Sequence, residues 1–174
     1  MSNAEKLEIQ IGDKKISIAV GEVARQAAGS AFVQMGESVV LVAAAHGTKP
    51  REDRDFFPLT VDYRERTYSA GRIPGGFFKR EGKARDNEVL TSRIIDRSVR
   101  PLFPENLRLE VQVSAIAMSH DGLHDLDILS VLGASVSLGL SALPWNGPIG
   151  AIRIGRVDER FILNPNLDEQ DRST

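Results

Sequence analysis

Two groups of side chains between residues 71 and 104 have the types and the spacing for chemistry with polyanions. The first is Phe77-Phe78-Lys79-Arg80, in which two adjacent aromatic residues follow Gly75-Gly76 and directly precede two cations. Such rings can stack on nucleobases, at about 1–3 kcal/mol per base and without sequence preference, while neighbouring cations bind the phosphates. Alternatively, one or both rings fill the protein's own core, and the residues by themselves leave both interpretations open.

The second group consists of three arginines, Arg93, Arg97 and Arg100. Asp86 is a suitable N-cap and Pro101 a suitable stop, so the sequence predicts a helix over 87–100. At about 100° per residue, the three arginines lie within about 60° of one another and form a stripe about 10 Å long. Guanidinium groups at this spacing suit the phosphates of a nucleic-acid backbone or one bound phosphate.

The same arginines also fit an ordinary solvent-exposed helix face. Asp96 and Arg100 are four residues apart, and such pairs are common surface features that stabilise a helix by only tenths of a kcal/mol. The apolar residues of the helix occupy one broad arc on the other side, namely Leu90, Ile94, Ile95 and Val99. On the helix alone, the two interpretations have equal support.

The charge distribution favours a local binding surface over a globally basic protein. Residues 71–104 hold eight Lys and Arg against four Asp and Glu, a balance of +4, so the rest of a chain with net charge −2 carries −6. A pI near 5.9 gives no overall attraction to polyanions. Any affinity for nucleic acid must therefore come from this patch.

Several other classes of function are disfavoured. The chain has no cysteine, which excludes disulfides and thiolate zinc sites and is compatible with a reducing cytosol. His120 and His124 have metal-ligand spacing, but Asp121-Gly122 is a turn signal that interrupts the necessary helix. Residues 71–76 lack the lysine and threonine of a nucleoside-triphosphate loop, and there is no serine nucleophile elbow. The apolar run 128–143 is shorter than the roughly 20 residues of a membrane span and is predicted to be a buried helix.

The remaining pattern predicts an α+β fold, with two helices against a mostly mixed or antiparallel sheet. Alternating or continuous apolar runs predict eight strands, over 6–11, 15–20, 31–34, 38–45, 57–63, 107–113, 149–157 and 161–163. Residues 38–45 are apolar on both faces, as in a central strand. Residues 46–55 are predicted to be an exposed loop, and the polar tail after 163 to hold no element.

Two segments, RTYSAGRIPGGFFKREG at 66–82 and LTSRIIDRSVRPLFP at 90–104, resemble the first core domain of bacterial polynucleotide phosphorylases. The resemblance continues through FFPLTVDYRERTY and LPWNGPIGAIRIG. It implies a ribonuclease PH-type fold, with residues 1–174 forming an N-terminal core domain. It also implies a cytoplasmic 3′-to-5′ exoribonuclease of mRNA degradation that uses inorganic phosphate and Mg²⁺ to release nucleoside diphosphates reversibly. Members of the family are homotrimeric rings that thread single-stranded RNA through a central pore, and RNA-degradation complex components are possible partners.

The resemblance assigns roles to the two groups of residues. The family's pore loop, Phe-Phe-Arg-Arg, falls on Phe77, Phe78, Lys79 and Arg80, with lysine in place of the first arginine. This keeps the charge and loses the bidentate geometry. The family's helix arginines fall on Arg93, Arg97 and Arg100, facing a cleft shared with the second core domain. Ser98 stands where the family commonly has proline.

The resemblance also indicates what this sequence lacks. The family's serine-rich phosphate loop and catalytic acidic residues belong to its second core domain, and neither motif occurs here. We therefore expect no catalytic residue and no metal ligand in this chain, a domain that stops before its last elements, and no activity of the chain alone. The alternative function is a non-catalytic RNA-binding or ring-assembly module. A standalone ribonuclease PH is disfavoured by the phenylalanine loop.

Overall fold

A six-stranded mixed sheet is the centre of the computed structural model, which describes residues 4–51, 55–77 and 79–173. The strand order is β1-β2-β3-β4-β6-β5, and β7 and β8 form a separate two-stranded sheet. The strands are β1 (Glu5–Ile11), β2 (Lys14–Val20), β3 (Gly29–Met35), β4 (Ser38–Pro50), β5 (Leu59–Glu65), β6 (Leu109–Ser119), β7 (Ile154–Val157) and β8 (Arg160–Leu163). The helices are α1 (Asp86–Val99), α2 (Leu126–Leu140) and α3 (Leu167–Asp171), with short 3₁₀ turns at Thr67–Ala70 and Arg100–Leu102. The α+β prediction is confirmed.

The strand β4 lies in the middle of the sheet, between β3 and β6, as its apolar sequence predicts. Val40, Val42 and Ala44 are fully buried on one face, and the alternate residues are half-buried on the other. The strand runs on to Pro50, so the prediction of a loop from residue 46 is wrong for its first part. His46 pairs with Val111 on β6, so the hydrogen-bonded ladder continues past Ala45. Pairing with this neighbouring strand keeps the segment extended although its sequence is polar.

The strands β5 and β6 are parallel neighbours, and α1 lies in the connection between them. Parallel strands require such a crossover, because the chain must return to the same end of the sheet. β5 therefore ends where residues 66–85 begin, and α1 packs along β5 on its way back. This arrangement places the loop and the arginine helix at one edge of the sheet.

The apolar helix α2 packs closely on β3 and β4, which confirms the prediction of a buried helix. Small residues at the contact let the backbone of α2 come close to the sheet. A side-chain carbon at Gly133 would clash with Val42, and one at Gly29 would clash with the carbonyl group of Ser137. The buried Ser130 and Ser137 hydroxyls donate to carbonyls of the same helix, Ser130 to that of Leu126 at 2.6 Å, and the buried Ser135 hydroxyl accepts from the Ile149 N–H at 2.9 Å. The helix thus packs densely on the sheet while these hydroxyls stay hydrogen-bonded.

The polar tail contains a helix, so the prediction that no element follows residue 163 is wrong. Asn166 caps α3, since its side chain accepts from the Glu169 N–H at 2.8 Å and the Glu169 carboxylate accepts from the Asn166 N–H at 2.7 Å. Arg153 connects α3 to the start of α2, because its guanidinium donates to the Gln170 side chain at 2.7 Å and pairs with Asp125 and Asp127. The predicted strand over 149–157 begins only at Ile154.

Candidate nucleic-acid interface

The loop that carries the aromatic and basic residues starts from a tight turn after β5. Gly71 has a left-handed backbone with φ of 66°, and its N–H donates to the Tyr68 carbonyl at 2.9 Å. The next N–H, of Arg72, donates to the Thr67 carbonyl at 3.1 Å. Glycine adopts this backbone without strain, so Gly71 ends the 3₁₀ turn and directs the chain away from the sheet.

The loop returns to the same turn through Glu81. The Glu81 carboxylate accepts from the Thr67 N–H at 2.8 Å and also from the Thr67 hydroxyl. These bonds, that of the hydroxyl first, hold the pKa of Glu81 below its usual value. Residues 72–81 thus form a loop, here called the clamp loop, whose two ends are fixed at Thr67.

The tip of the clamp loop is exposed. The Phe77 side chain is 95% exposed, and Ile73, nearer the start, is 87% exposed. Lys79 and Arg80 are also exposed, and Lys79 has a left-handed backbone with φ of 46°. Phe78 lies outside the described residues. An exposed ring beside two exposed cations can contact a planar base and a phosphate together.

The helix α1 is fixed to the end of β5 by a buried carboxylate. Glu88 is only 5% exposed and accepts from the N–H of Arg85 at 2.6 Å and of Glu65 at 2.8 Å. Burial opposes its ionisation, but the two N–H donors together with the nearby Arg85 and Arg64 guanidiniums hold the pKa of Glu88 below its usual value. The predicted N-cap, Asp86, is instead the first helical residue, and Arg85 occupies the cap position. The Glu88 carboxylate reaches back to the Arg85 N–H, so the helix begins one residue earlier than predicted.

A second carboxylate extends this connection. Glu65 accepts from the Arg85 guanidinium at 2.9 Å, from the Asn87 side chain at 3.2 Å and from the Tyr63 hydroxyl at 2.9 Å. The last residue of β5 therefore contacts both the end of the loop region and the first turn of α1. The position of α1 against the sheet follows from these bonds.

The structure separates the three helix arginines. Arg93 and Arg97 are exposed. Arg100 is paired with Asp96 at 2.6 Å, donates to the Leu59 carbonyl at 3.2 Å, and has its guanidinium 5.8 Å from the centre of the Phe57 ring. Arg93 and Arg100 nevertheless line one cavity of about 410 Å³, between α1 and the free edge of β5. Arg97 is not among the residues that line this cavity.

The buried face of α1 differs from the apolar arc of the sequence. Ile95 and Val99 are fully buried, but Leu90 is 60% and Ile94 44% exposed. Ser92 takes a place on the buried face, where its hydroxyl accepts from the Tyr63 N–H at 2.9 Å. An apolar strip with arginines beside it is therefore left on the outer side of the helix.

Sequence reasoning assigned no role to two further arginines, one just before the clamp loop and one at its first position. Arg66 is half-buried and Arg72 exposed, and with Arg80 they line a cavity of about 430 Å³ beneath the loop. The available signal was the recurrence of arginine in RERTYSAGR, directly before the loop. These residues extend the basic surface from the loop tip to its base.

Among residues 4–51, 55–77 and 79–173, no three acidic or histidine side chains group closely enough to hold a metal ion. His120 donates its backbone N–H to Ser69 at 2.9 Å, and the His124 ring contacts Asp121 at 2.8 Å. No helix in the same part of the chain is both long and apolar enough to cross a membrane.

Comparison with known proteins gives consistent matches. Residues 12–144 match the family model for domain 1 of the 3′ exoribonuclease family, RNase PH. A polyribonucleotide nucleotidyltransferase of Endomicrobium trichonymphae is 53% identical over 165 residues, which are 95% of this chain and 24% of that protein. One of Koribacter versatilis is 54% identical over 158 residues, which are 91% of this chain and 19% of that protein. The chain thus spans about a quarter or less of the length of the curated relatives it matches.

A solved structure, that of rice Rrp46, shares the fold. The two superpose with a TM-score of 0.70 over 91% of this chain and 69% of the rice chain, at 18% sequence identity. At this identity the likeness concerns the fold alone.

Proposed function

This chain belongs to the 3′ exoribonuclease family, as its domain 1, and we propose that it is the RNA-holding part of a phosphorolytic 3′-to-5′ exoribonuclease. In the proposed reaction, an oxygen of inorganic phosphate attacks the phosphorus of the last phosphodiester of single-stranded RNA. The bond from that phosphorus to the 3′-oxygen of the preceding nucleotide breaks, and this oxygen takes up a proton. The products are a nucleoside diphosphate and an RNA one nucleotide shorter, and the reverse reaction extends RNA.

One observation carries the proposal, namely the exposure of Phe77 at the tip of a basic loop. A phenylalanine that is 95% exposed contributes almost nothing to the core of the described structure. Its position beside Lys79 and Arg80 suits a base stacked on the ring and phosphates on the cations. We assign RNA binding to Phe77, Lys79 and Arg80, and to Phe78 by its place in the same motif.

The helix face is assigned a different task. Arg93 and Arg97 are exposed beside Leu90 and Ile94, which suits a surface that is polar and apolar in parts, as interfaces between domains are. We propose that this face borders a cleft with a second core domain of the whole protein, where the arginines hold RNA or phosphate. Arg100 contributes mainly by fixing the start of β5, since its guanidinium already bonds to Asp96 and Leu59.

The chemical step is assigned to residues outside this sequence. We propose that the whole protein uses Mg²⁺. Among the described residues, no three acidic or histidine side chains lie close enough together to hold the ion, so no step is routed through a metal here. The whole protein is proposed to be a cytoplasmic homotrimer that degrades mRNA, with other RNA-degradation proteins as partners. Within it, the present chain binds and orients the substrate.

The test is the affinity of the protein for a fluorescein-labelled oligouridylate, measured by anisotropy. Phe77→Ala removes one stacking partner, at about 1–3 kcal/mol, so the dissociation constant should rise by roughly 5- to 150-fold. Phe161→Ala is the matched control, because this ring on β8 is 75% exposed and lies far from the clamp loop in sequence. Equal affinities of the two variants would refute the stacking role.

A ring-assembly module is the second candidate, favoured by the exposed apolar strip of α1. Sedimentation of the chain with Leu90→Glu tests it, since a charge there should dissociate an oligomer that uses this face. A chain that is oligomeric and binds no RNA would support assembly over substrate binding.

A further inference from the structure

We propose that Arg66, Arg72 and Arg80 form a subsite for one backbone phosphate of single-stranded RNA, beneath the clamp loop and next to the base that stacks on Phe77. The inference rests on the proposed function and deepens it, because it adds two residues and a cavity to the RNA path. Arg80 is common to both, whereas Arg66, Arg72 and the cavity lie toward the base of the loop and were not assigned a role above.

The cavity has the size and the walls of a binding site. Its volume of about 430 Å³ falls within the range of ligand pockets, about 300–1,000 Å³. The end of β5 and the 3₁₀ turn form one wall, the clamp loop forms a second, and the start of α1 forms a third. Hydrogen bonds of Glu81 to Thr67, and of Glu88 to Glu65 and Arg85, hold these three walls together, so the cavity is preformed.

The charges in the cavity favour an anion. Two of its five arginines are already paired, Arg64 with Asp62 at 3.1 Å and Arg85 with Glu65 at 2.9 Å. The remaining three are Arg66, Arg72 and Arg80, and in the described part of the chain no carboxylate lies within ion-pair distance of them. The Glu81 carboxylate also lines the cavity, and it accepts a hydrogen bond from Thr67. Three arginines and one carboxylate leave an excess of positive charge. Arg66 is half-buried, and a partly desolvated cation gains most from an anionic partner.

The position of the cavity selects RNA as the occupant. Arg72 and Arg80 stand near the two ends of the loop that carries Phe77 at its tip. Three residues of extended chain span at most about 11 Å, so Arg80 stays within a short run of nucleotides of the ring. A phosphate in the cavity and a base on Phe77 can therefore belong to the same or to adjacent nucleotides. Free phosphate or pyrophosphate shares this chemistry, and the experiment must distinguish them.

The salt dependence of RNA affinity provides the test, because it counts phosphate contacts. The logarithm of the affinity for single strands falls with the logarithm of salt concentration with a slope of about −0.7 per phosphate bound. With a labelled dodecauridylate, we expect Arg66→Gln and Arg72→Gln each to weaken binding. The double variant should have a salt-dependence slope that is less negative by about 0.7, which corresponds to one lost phosphate contact. Arg160→Gln on β8 removes the same charge from an exposed position elsewhere and should leave the slope unchanged.

A second titration uses inorganic pyrophosphate at constant ionic strength. Loss of pyrophosphate binding in the arginine variants, with an unchanged RNA slope, would assign the cavity to a free anion and overturn the RNA subsite. An unchanged slope and unchanged pyrophosphate binding would overturn the site altogether.

The controls separate this proposal from the proposed function. If Phe77→Ala weakens RNA binding and the arginine variants do not, the subsite is refuted and the RNA-holding role stands. If the unsubstituted chain binds no RNA, both fall. Arg72 is exposed and only its backbone bonds to Thr67, so Arg72→Gln keeps the test valid even if Arg66→Gln fails to fold.

Discussion

Replacement of Glu88 by glutamine should destabilise the protein well beyond the loss of a surface charge. The Glu88 carboxylate accepts one hydrogen bond from the Arg85 N–H and one from the Glu65 N–H, through different oxygens. Glutamine has a single acceptor oxygen, so its amide group must face one of the two donors. One partly buried N–H then has no acceptor, at a cost of about 1–3 kcal/mol.

The assay is urea or thermal unfolding of the purified chain. For a protein of this size a loss of 1 kcal/mol lowers the melting temperature by roughly 2–4 °C, so Glu88→Gln should lower it by about 2–12 °C. Asp86→Asn is the matched control, since this exposed carboxylate is in the same turn and its favourable interaction with the helix dipole is only about 0.3–1 kcal/mol. A Glu88→Gln protein as stable as Asp86→Asn would refute the account of how α1 is held.

The dependence on pH adds an independent check. The folded protein holds the pKa of Glu88 below its usual value of 4.5, so the ionised carboxylate stabilises the fold fully above that value. As pH falls through the lowered pKa, this contribution is lost. The difference in free energy of unfolding between the unsubstituted protein and Glu88→Gln should therefore be constant near neutral pH and should become smaller in acid.

Two further predictions concern other parts of the chain. Asp121→Asn should lower the free energy of unfolding by about 1–3 kcal/mol at pH 7, measured by urea unfolding, because the half-buried carboxylate accepts from Ser38, Leu123 and His124. Burial opposes its ionisation, but His124 and the backbone donors hold the pKa of Asp121 well below its usual range, so this contribution should persist at mildly acid pH and disappear only in stronger acid. The chain alone, incubated with RNA, Mg²⁺ and phosphate, should release no nucleoside diphosphate detectable by chromatography, and release by a homogeneous preparation would contradict the assignment of the chemical step to residues outside it.

The parts of the fold that the sequence predicts well are those fixed by local pattern. The first hairpin turns at Gly12, which has a left-handed backbone, and strict alternation on both sides sets its register. The buried helix α2 is apolar enough to be identified by composition. In each case the signal lies within a few residues of the element.

The errors arise where a distant partner decides. Glu88 and Ser92 belong to the buried face of α1 because they bind backbone N–H groups of β5, and no periodicity within the helix contains that information. Leu90 and Ile94 are exposed for the same reason, since the helix is rotated toward its polar contacts. The cap of α3 is different, because Asn166 and Glu169 form a recognisable capping pair that the sequence contained.

The candidate site divides in the same way. Phe77, Lys79 and Arg80 are recognisable as a group because they are consecutive. Arg66 joins them only through the folding of the loop over the end of β5, and Arg100 is removed from the helix stripe by carbonyl groups 41 and 43 positions earlier in the chain. Neither relation can be obtained from spacing along one helix.

The attachment of the clamp loop at Thr67 separates two kinds of motion. Exposed loop tips move within nanoseconds to microseconds, whereas enzymes commonly complete about 1 to 1,000 turnovers per second. In the proposed exoribonuclease, the Phe77 ring would explore its positions many times between the removal of successive nucleotides. The bonds of Glu81 would meanwhile keep the two ends of the loop in place. The position of an advancing RNA strand would then be set at the base of the loop. The Phe77 ring would bind each passing base only briefly.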